Sequence, residues 1–298
     1  MRLEDLNYFL AVSEAGHVGR AAERVGQTQP ALTKGIQRLE RELGLQLFDR
    51  TAKGMTLTSA GQAFFMRAQH VRTHLDDAIK EASDLSLGKI GLVRVGVPPN
   101  YAETFFGDAC AELLRLRPAA RLSVMSGLND KLRAALRLGD LDLCIGALTE
   151  HDAEDLEQQP LFNDSLHIVA REGHPLFAVP RLRLVRLAQA GWLLPGSHVS
   201  ARQRLEARFA DAGLPPPRLV IETDSTIGSL MSVLLRSDLL GITGDLTLSR
   251  SGHGLRALPL GEGMWPRTIG VATRKGAYLS PLAQRFIELL KEAAPSQP

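Results

Sequence analysis

The hydrophobic period of this chain changes once, near residue 89, and that change limits the folds open to it. Before it, apolar residues recur every three or four positions; after it, short apolar runs of strand length alternate with helical ones. Such a chain must carry an all-helical N-terminal part followed by a larger α/β part, and 298 residues is about two domains' worth of sequence. Hydrophobic residues at 44% and charged residues at 23% give enough apolar surface to build both cores, which excludes wholesale disorder.

The first 58 residues read as short helices separated by tight turns. Leu3, Leu6, Phe9 and Leu10 mark one helical face, with Gly16 as its terminator, and a second helix fits Arg20 to Val25. Gly26-Gln27-Thr28 then forms a turn. The Thr28 hydroxyl can cap the next helix, and Pro30 suits its first turn, where a missing N–H costs nothing. That helix, Gln29 to about Leu43, carries most of the information. At 100° per residue Leu32, Ile36, Leu39 and Leu43 fall within about 60° of arc and form a buried stripe. Pro30, Thr33, Lys34, Gln37 and Arg41 lie opposite, with Arg38 at the edge.

The run DRTAKGMTLTSAG follows, with Lys53-Gly54 as the tip of a short hairpin. From Ser59 the helical period returns for almost thirty residues. Ala60, Phe64, Ala68, Val71, Leu75, Ala78, Ala82 and Leu85 make a heptad-like seam on one narrow stripe, which needs a partner helix. This element is expected to connect and dimerise, ending at Gly88.

Beyond it LVRVGV, RLSVMS and LDLCIG read as strands, separated by helices near Ala102–Arg117 and Asp130–Leu138. A strand pair at Leu156–Phe162 and Leu166–Ala170 follows, then WLLP, a helix near Ala201–Ala212, LVIET, a helix near Thr226–Arg236, LLGIT, TIGVAT and a terminal helix at Pro281–Ala294. Strands alternating with helices imply parallel sheets with crossover connections. With TIGVAT returning late, two α/β lobes joined by hinges are expected.

A helix–turn–helix with a polar outward face is a device for reading DNA, because the major groove admits one α-helix and displays donors and acceptors along it. Thr33, Lys34 and Gln37 can reach base edges, while Arg38, Arg41 and the cap region can hold phosphates. Bulk charge does not decide the matter, since the whole chain is +2 and residues 1–58 hold eight basic against seven acidic residues. One such domain binds DNA weakly, so a dimer spanning two half-sites is part of the expectation.

The segment AAERVGQTQPALTKGIQRLERELGLQLFDRTAKGMTLTSAG resembles the N-terminal domain of LysR-type transcriptional regulators. The matching features are Ala21-Ala22, Gln29-Pro30-Ala31-Leu32, Ile36, Leu39-Glu40, Leu43-Gly44, Leu47-Phe48, Arg50, Leu57-Thr58 and Ala60-Gly61, without a gap over residues 1–61. The resemblance implies a winged helix–turn–helix at 1–58, with its central motif at about 18–37, and a linker helix at 59–88. It further implies an effector-binding domain at 89–298, two-lobed like periplasmic binding proteins, with lobe I at about 89–162 and 267–298 and lobe II at about 163–266. Carried over by position, it assigns DNA contact to Thr28, Gln29, Pro30, Thr33 and Lys34, with Arg50 among the matched positions and Lys53 on a wing that approaches the minor groove. The family often carries serine where this chain has His17, Gly19 and Thr28; Thr28 keeps the hydroxyl, and Gly19 is compatible with a helix cap.

Ligands of α/β lobes bind beyond the carboxyl ends of strands, where helix N-termini offer free N–H groups. That rule selects Pro99, Asn100 and Tyr101 after the first strand, Ser126 and Gly127 after the second, and Gly146 after the third. In the second lobe it selects Ser197, Ser225 and Thr226. The expected function is a sequence-specific transcriptional regulator on a pseudo-palindromic site, acting as a homodimer or homotetramer under a small organic effector of the kind, often anionic, that relatives take. Two other classes remain open: a small-molecule binding protein whose N-terminal helices serve assembly, and an enzyme.

No Walker A loop, GxGxxG, GxSxG or HExxH occurs, and no catalytic set is recognisable. No cofactor or metal is expected. His70 and His74 sit one helical turn apart with no evident third ligand, and the acidic loop at Glu150–Glu157 lacks the glycine-turned spacing of a calcium loop. Cys110 and Cys144 are too few for a disulfide framework. No run approaches about 18 apolar residues, and the charged start MRLEDLNYFL is unlike a signal peptide, so a cytoplasmic protein without a membrane segment is expected.

Overall fold

The computed structural model describes residues 1–51, 54–87, 91–224, 230–250, 254–260 and 265–295, which fall into two compact units, residues 1–87 and 88–298. Among the described residues no helix is long and apolar enough to cross a membrane.

The first unit runs α1 (Leu3–Ala15), α2 (Val18–Arg24), α3 (Gln29–Leu43), β1 (Phe48–Thr51), β2 (Gly54–Leu57) and α4 (Ser59–Leu87). Leu6, Phe9, Leu10, Ala21, Ala22, Leu32, Ile36 and Leu39 form its core. Phe9 is fully buried, its ring 5.3 Å from Phe48, 5.2 Å from Phe64 and 6.4 Å from Phe65, so one side chain ties α1 to the hairpin and to α4. Burial of a ring of this kind is what a Phe→Ala change loses, at about 3–5 kcal/mol.

Two sequence expectations need correction here. The second helix starts at Val18, because the His17 imidazole caps it by accepting from the Gly19 N–H at 3.1 Å. Leu43 is 36% exposed: it lies in the last turn, beyond the reach of α1, and Gly44 turns the chain away with φ +67°. On α4 only Phe64, Phe65 and Ala68 join this core, and the seam beyond them is uncovered, with Val71 53% and Leu75 36% exposed.

The second unit continues with β3 (Leu92–Val97), α5 (Pro99–Ala102), α6 (Phe105–Leu116), β4 (Arg121–Ser126), α7 (Asn129–Leu138), β5 (Leu143–Ala147), β6 (Leu156–Arg171), α8 (Leu184–Leu187), β7 (Gly191–Pro195), α9 (Ser200–Asp211), β8 (Arg218–Thr223), α10 (Met231–Leu235), β9 (Gly241–Gly244), α11 (Asp245–Arg250), β10 (Leu255–Ala257), β11 (Trp265–Arg274) and α12 (Pro281–Ala293). Seven strands form one curled sheet in the order β10-β6-β11-β5-β3-β4, with β9 beside β6. β7 and β8 pair in parallel, and Trp192 bridges to Leu240 ahead of β9.

The expected all-parallel sheets are in fact mixed, since β11 runs antiparallel to both β5 and β6. The expected strand pair at 156–170 is one 16-residue strand. Asn163-Asp164-Ser165 has the composition of a turn but stays extended, because β11 pairs with it residue for residue. β6 and β11 therefore cross between two apolar cores. One contains Val93, Val95, Leu143, Ile145, Phe105, Phe286 and Ile269; the other contains Trp192, Leu194, Phe209, Leu234, Ile242, Ile168 and Val169. This pair of strands is a scaffold common to both lobes, and a cleft opens beside their crossing.

Candidate DNA interface and effector cleft

On α3 the residues Leu32, Gly35, Ile36 and Leu39 point inward. Thr28, Gln29, Pro30, Lys34, Gln37 and Arg41 are exposed, and Thr33 is half-buried. Thr28 is the helix cap, its Oγ1 accepting from the Ala31 N–H at 3.4 Å. Thr33 and Gln37 line a groove closed on its far side by Phe48, Asp49 and Met55 of the hairpin. The hairpin is held there by Glu40, whose Oε1 accepts from the Leu47 N–H at 2.8 Å and the Phe48 N–H at 3.3 Å. Met55 N–H donates to the Gly16 carbonyl at 2.9 Å, so β2 docks on the α1–α2 turn near the hairpin's turn end. Lys53 lies outside the described residues; Arg50 is paired with Met55 through the β1–β2 ladder.

Arg38, expected to hold phosphate, is engaged within the fold. Its guanidinium grips Asp5, with Nε at 2.8 Å from Oδ2 and the second nitrogen closer still on Oδ1. Asp5 is fully buried, and the hydrogen bond from Arg38 keeps its carboxyl below the usual carboxylate range. Gly35 makes room for this pair: a Cβ there would lie 2.6 Å from Tyr8 Cδ2 and 3.0 Å from Asp5 Oδ1. Nothing in the sequence near Arg38 announces a partner 33 residues earlier, which is why it reads as a free cation.

In the second unit a cleft of about 130 Å³ opens between the lobes. Asn100, Tyr101 and Gly146 line it as the strand-end rule expects, joined by Pro98, Leu128, Asn129, Ala147, Val199, Ser200, Thr243, Gly244, Thr247 and Arg267. Pro99 opens α5 beside that lining. Ser126 and Gly127 do not line it, because the Ser126 hydroxyl is donated to the Val97 carbonyl at 3.1 Å along the sheet edge. Ser197 stands in the turn before α9, and the first-turn residues Val199, Ser200 and Ala201 take the lining position. Ser225 and Thr226 lie outside the described residues.

The cleft floor is a buried polar knot where β6 and β11 cross. Asp164 Oδ2 receives Arg267 Nε at 2.7 Å and its other terminal nitrogen, while Oδ1 receives the Asp245 N–H at 2.8 Å. The same guanidinium donates to the Tyr101 hydroxyl at 3.1 Å, and burial pushes that phenol well above its ordinary range, so it stays protonated. Two polar positions on the walls stand out among the described residues. One is the buried Oδ1 of Asn129, which accepts from no donor there; the other is Thr243, 7% exposed. Across the mouth, Asp130 of α7 meets His198 at 3.1 Å, and Lys131 meets Asp224 at 3.7 Å.

Other candidate sites are occupied structurally. Asp152 and Asp155 of the acidic loop are taken by Arg133 and Arg137. His70 and His74 are exposed on α4, and no cluster of three metal-binding side chains occurs among the described residues. Burial pushes the thiols of Cys110 and Cys144 up to about 11, which keeps both protonated near neutral pH.

Residues 3–62 match the model of the bacterial regulatory helix–turn–helix protein, lysR family, and residues 87–295 match the LysR substrate binding domain. Among curated relatives the chain is similar to the HTH-type transcriptional regulator GalR of Pseudomonas putida. The two are 33% identical over 98% of this chain and 74% of the relative. It is also similar to the HTH-type transcriptional regulator GbpR of Azospirillum brasilense, at 30% identity over 99% of this chain and 87% of the relative. Its fold is similar to that of a cysteine-to-aspartate variant of full-length OxyR from Pseudomonas aeruginosa, with a TM-score of 0.66 at 24% identity, covering 98% of this chain and 94% of that one. It is likewise similar to CbnR, with a TM-score of 0.63 at 20% identity, covering 99% and 100%. The family consists of transcriptional regulators rather than enzymes. The chain belongs to the LysR family of DNA-binding transcriptional regulators, with an N-terminal helix–turn–helix and a C-terminal effector-binding domain.

Proposed function

We propose that α3 enters the major groove of a pseudo-palindromic promoter site, with Thr33, Lys34 and Gln37 at base edges and Thr28, Gln29, Pro30 and Arg41 along the backbone. Lys53 and Arg50 are assigned to the wing's approach to the adjacent groove. The single observation that carries this reading is the sidedness of α3, which buries Leu32, Ile36 and Leu39 while exposing Lys34, Gln37 and Arg41. A helix serving assembly alone has no reason to sort its residues so.

The uncovered stripe at Val71, Leu75 and Ile79 favours pairing of two α4 helices, which doubles the phosphate contacts of a weakly basic domain. The regulator is placed in the cytoplasm, where its DNA is. Its effector is a small organic molecule bound by Asn100, Tyr101, Gly146 and the first turns of α7 and α9. Those turns have Leu128 and Val199 at their cap positions, which supply no side-chain acceptor, so their N–H groups suit an anion. A ligand that bridges the two lobes stabilises one lobe arrangement over another, and that differential affinity is the regulatory signal.

A gel-shift titration on the intergenic DNA upstream of the chain's own gene, with random competitor and varied salt, tests the DNA reading. Specific, salt-sensitive shifts that survive competitor are expected. Shifts removed equally by random DNA count against sequence-specific reading of that site.

A further inference from the structure

We propose that His17 is a DNA-contacting residue that donates its Nε2–H to a backbone phosphate; the proposal rests on the α3 reading and extends the interface beyond that helix. The argument starts from which nitrogen is free. Nδ1 accepts from the Gly19 N–H at 3.1 Å, so it carries a lone pair and the ring's proton must sit on Nε2. Nε2, on the far side of the ring, has no partner among the described residues, and the side chain is exposed. Capping α2 therefore fixes the tautomer and leaves a rigid N–H donor aimed outward.

The ring also sits where a phosphate would pass. A Cβ on Gly54, at the turn end of the wing hairpin, would come within 3.8 Å of His17 Cδ2. A Cβ on Gly19 would lie 3.2 Å from His17 Nδ1 and 2.8 Å from Gln29 Nε2, at the start of α3. His17 thus fills the gap between the wing and the N-terminus of α3, on the surface that carries the exposed α3 residues. The bare backbone at Gly19 leaves the imidazole its place: a Cβ there would press on the ring at 3.2 Å. Contacts to phosphates are sequence-independent and set register, and a neutral N–H donor adds such a contact without releasing a counterion.

The test uses the full chain at pH 8 on any duplex it binds, comparing His17→Ser, His17→Asn and Lys34→Ala. Serine and asparagine keep an acceptor for the Gly19 N–H but lose the reach of Nε2. Both variants should melt as the unaltered protein does and bind about ten-fold more weakly or worse. Their slope of log affinity against log salt should be unchanged, whereas Arg41→Ala, run beside them at a residue assigned to the DNA backbone, should lower that slope by about 0.9 for each phosphate lost. Binding within about two-fold of the unaltered protein overturns the proposal, as does a loss of binding that tracks a loss of melting temperature, which would reduce His17 to its cap. Unchanged binding by Lys34→Ala with a loss in the His17 variants would sink the α3 reading instead, and the proposal with it.

Discussion

Replacing Arg267 with leucine asks whether the ion pair at the crossing of β6 and β11 holds the effector domain together. Asp164 is 4% exposed. Without the guanidinium its carboxylate keeps one backbone N–H, from Asp245 at 2.8 Å, and a Tyr101 hydroxyl at 3.5 Å. Stripping one partner from a buried pair costs about 3–5 kcal/mol. Leucine returns some apolar burial, but Arg267 lies on the cleft wall with 18% of its side chain exposed, so the return is at most about 1 kcal/mol. The net loss is about 2–5 kcal/mol, which for a unit of this size lowers the melting temperature by roughly 4–20 °C. Asp164→Asn/Arg267→Leu should be more stable than Arg267→Leu alone, because no charge is then left buried. Calorimetric melting of the three proteins decides it. A shift below about 2 °C for Arg267→Leu, or a double variant no better than the single, refutes the view that Asp164 is a charge needing its partner.

Lys34→Ala and Thr33→Ala should each weaken operator binding in gel-shift titrations while moving the melting temperature by only a few degrees, since both side chains point away from the core. Leu75→Asp should lower the sedimentation-derived oligomer mass and DNA affinity together, because it places a charge in the uncovered α4 seam. Gly54→Ala should destabilise the first unit by about 2–4 kcal/mol on thermal melting: φ there is +127°, a new Cβ would lie 2.3 Å from the Gly16 carbonyl, and the Met55–Gly16 hydrogen bond would break. Acid should unfold the chain through Asp5, Asp152 and Asp155. The Arg38 hydrogen bond lowers the pKa of Asp5. Burial opposes the shift at Asp152 but is outweighed by Thr149, Arg137 and Arg133. Arg137 lowers Asp155. A depressed folded pKa means that this stabilisation is complete above the ordinary carboxylate value near 3.9 and is lost as pH falls below it. Circular dichroism from pH 6 to pH 2 should show Asp5→Asn with a shallower decline than the unaltered protein.

The helix–turn–helix was legible because its determinants are local. The Thr28 cap, Pro30 and Gly44 bound α3 within a few residues of where their chemistry acts, and the four-residue spacing of Leu32 and Ile36 already names the buried face. Arg38 shows where that legibility stops. On a helical wheel it sits at the margin of the polar face, and only the fold reveals that α1 brings Asp5 under it and that Gly35 clears the space. His17 is the converse case, a surface residue whose meaning depends on Gly54 and Gln29 arriving beside it from two other elements.

The cleft divides along the same line. Asn100 and Tyr101 come just after β3 and Gly146 stands at the C-terminal end of β5, so the strand-end rule reaches them from sequence alone. Thr243 and Gly244 close a strand of only four residues, whose place beside β6 no local pattern states. Arg267 is further out of reach, because its meaning lies in Asp164, 103 residues away. Yet the pair leaves a trace: each is a charge, of opposite sign, inside an extended segment, and the two are register partners across β6 and β11. A charge inside a strand must be cancelled locally or exposed to a ligand. Here it is cancelled, which makes the cleft floor nearly neutral; under the proposed effector reading, discrimination then falls to Thr243, Asn129 and the helix first turns of the walls. The cation visible in the cleft is thus a structural charge, and an effector that competes for it must also leave Asp164 buried without its partner, a penalty that favours ligands bound to the walls.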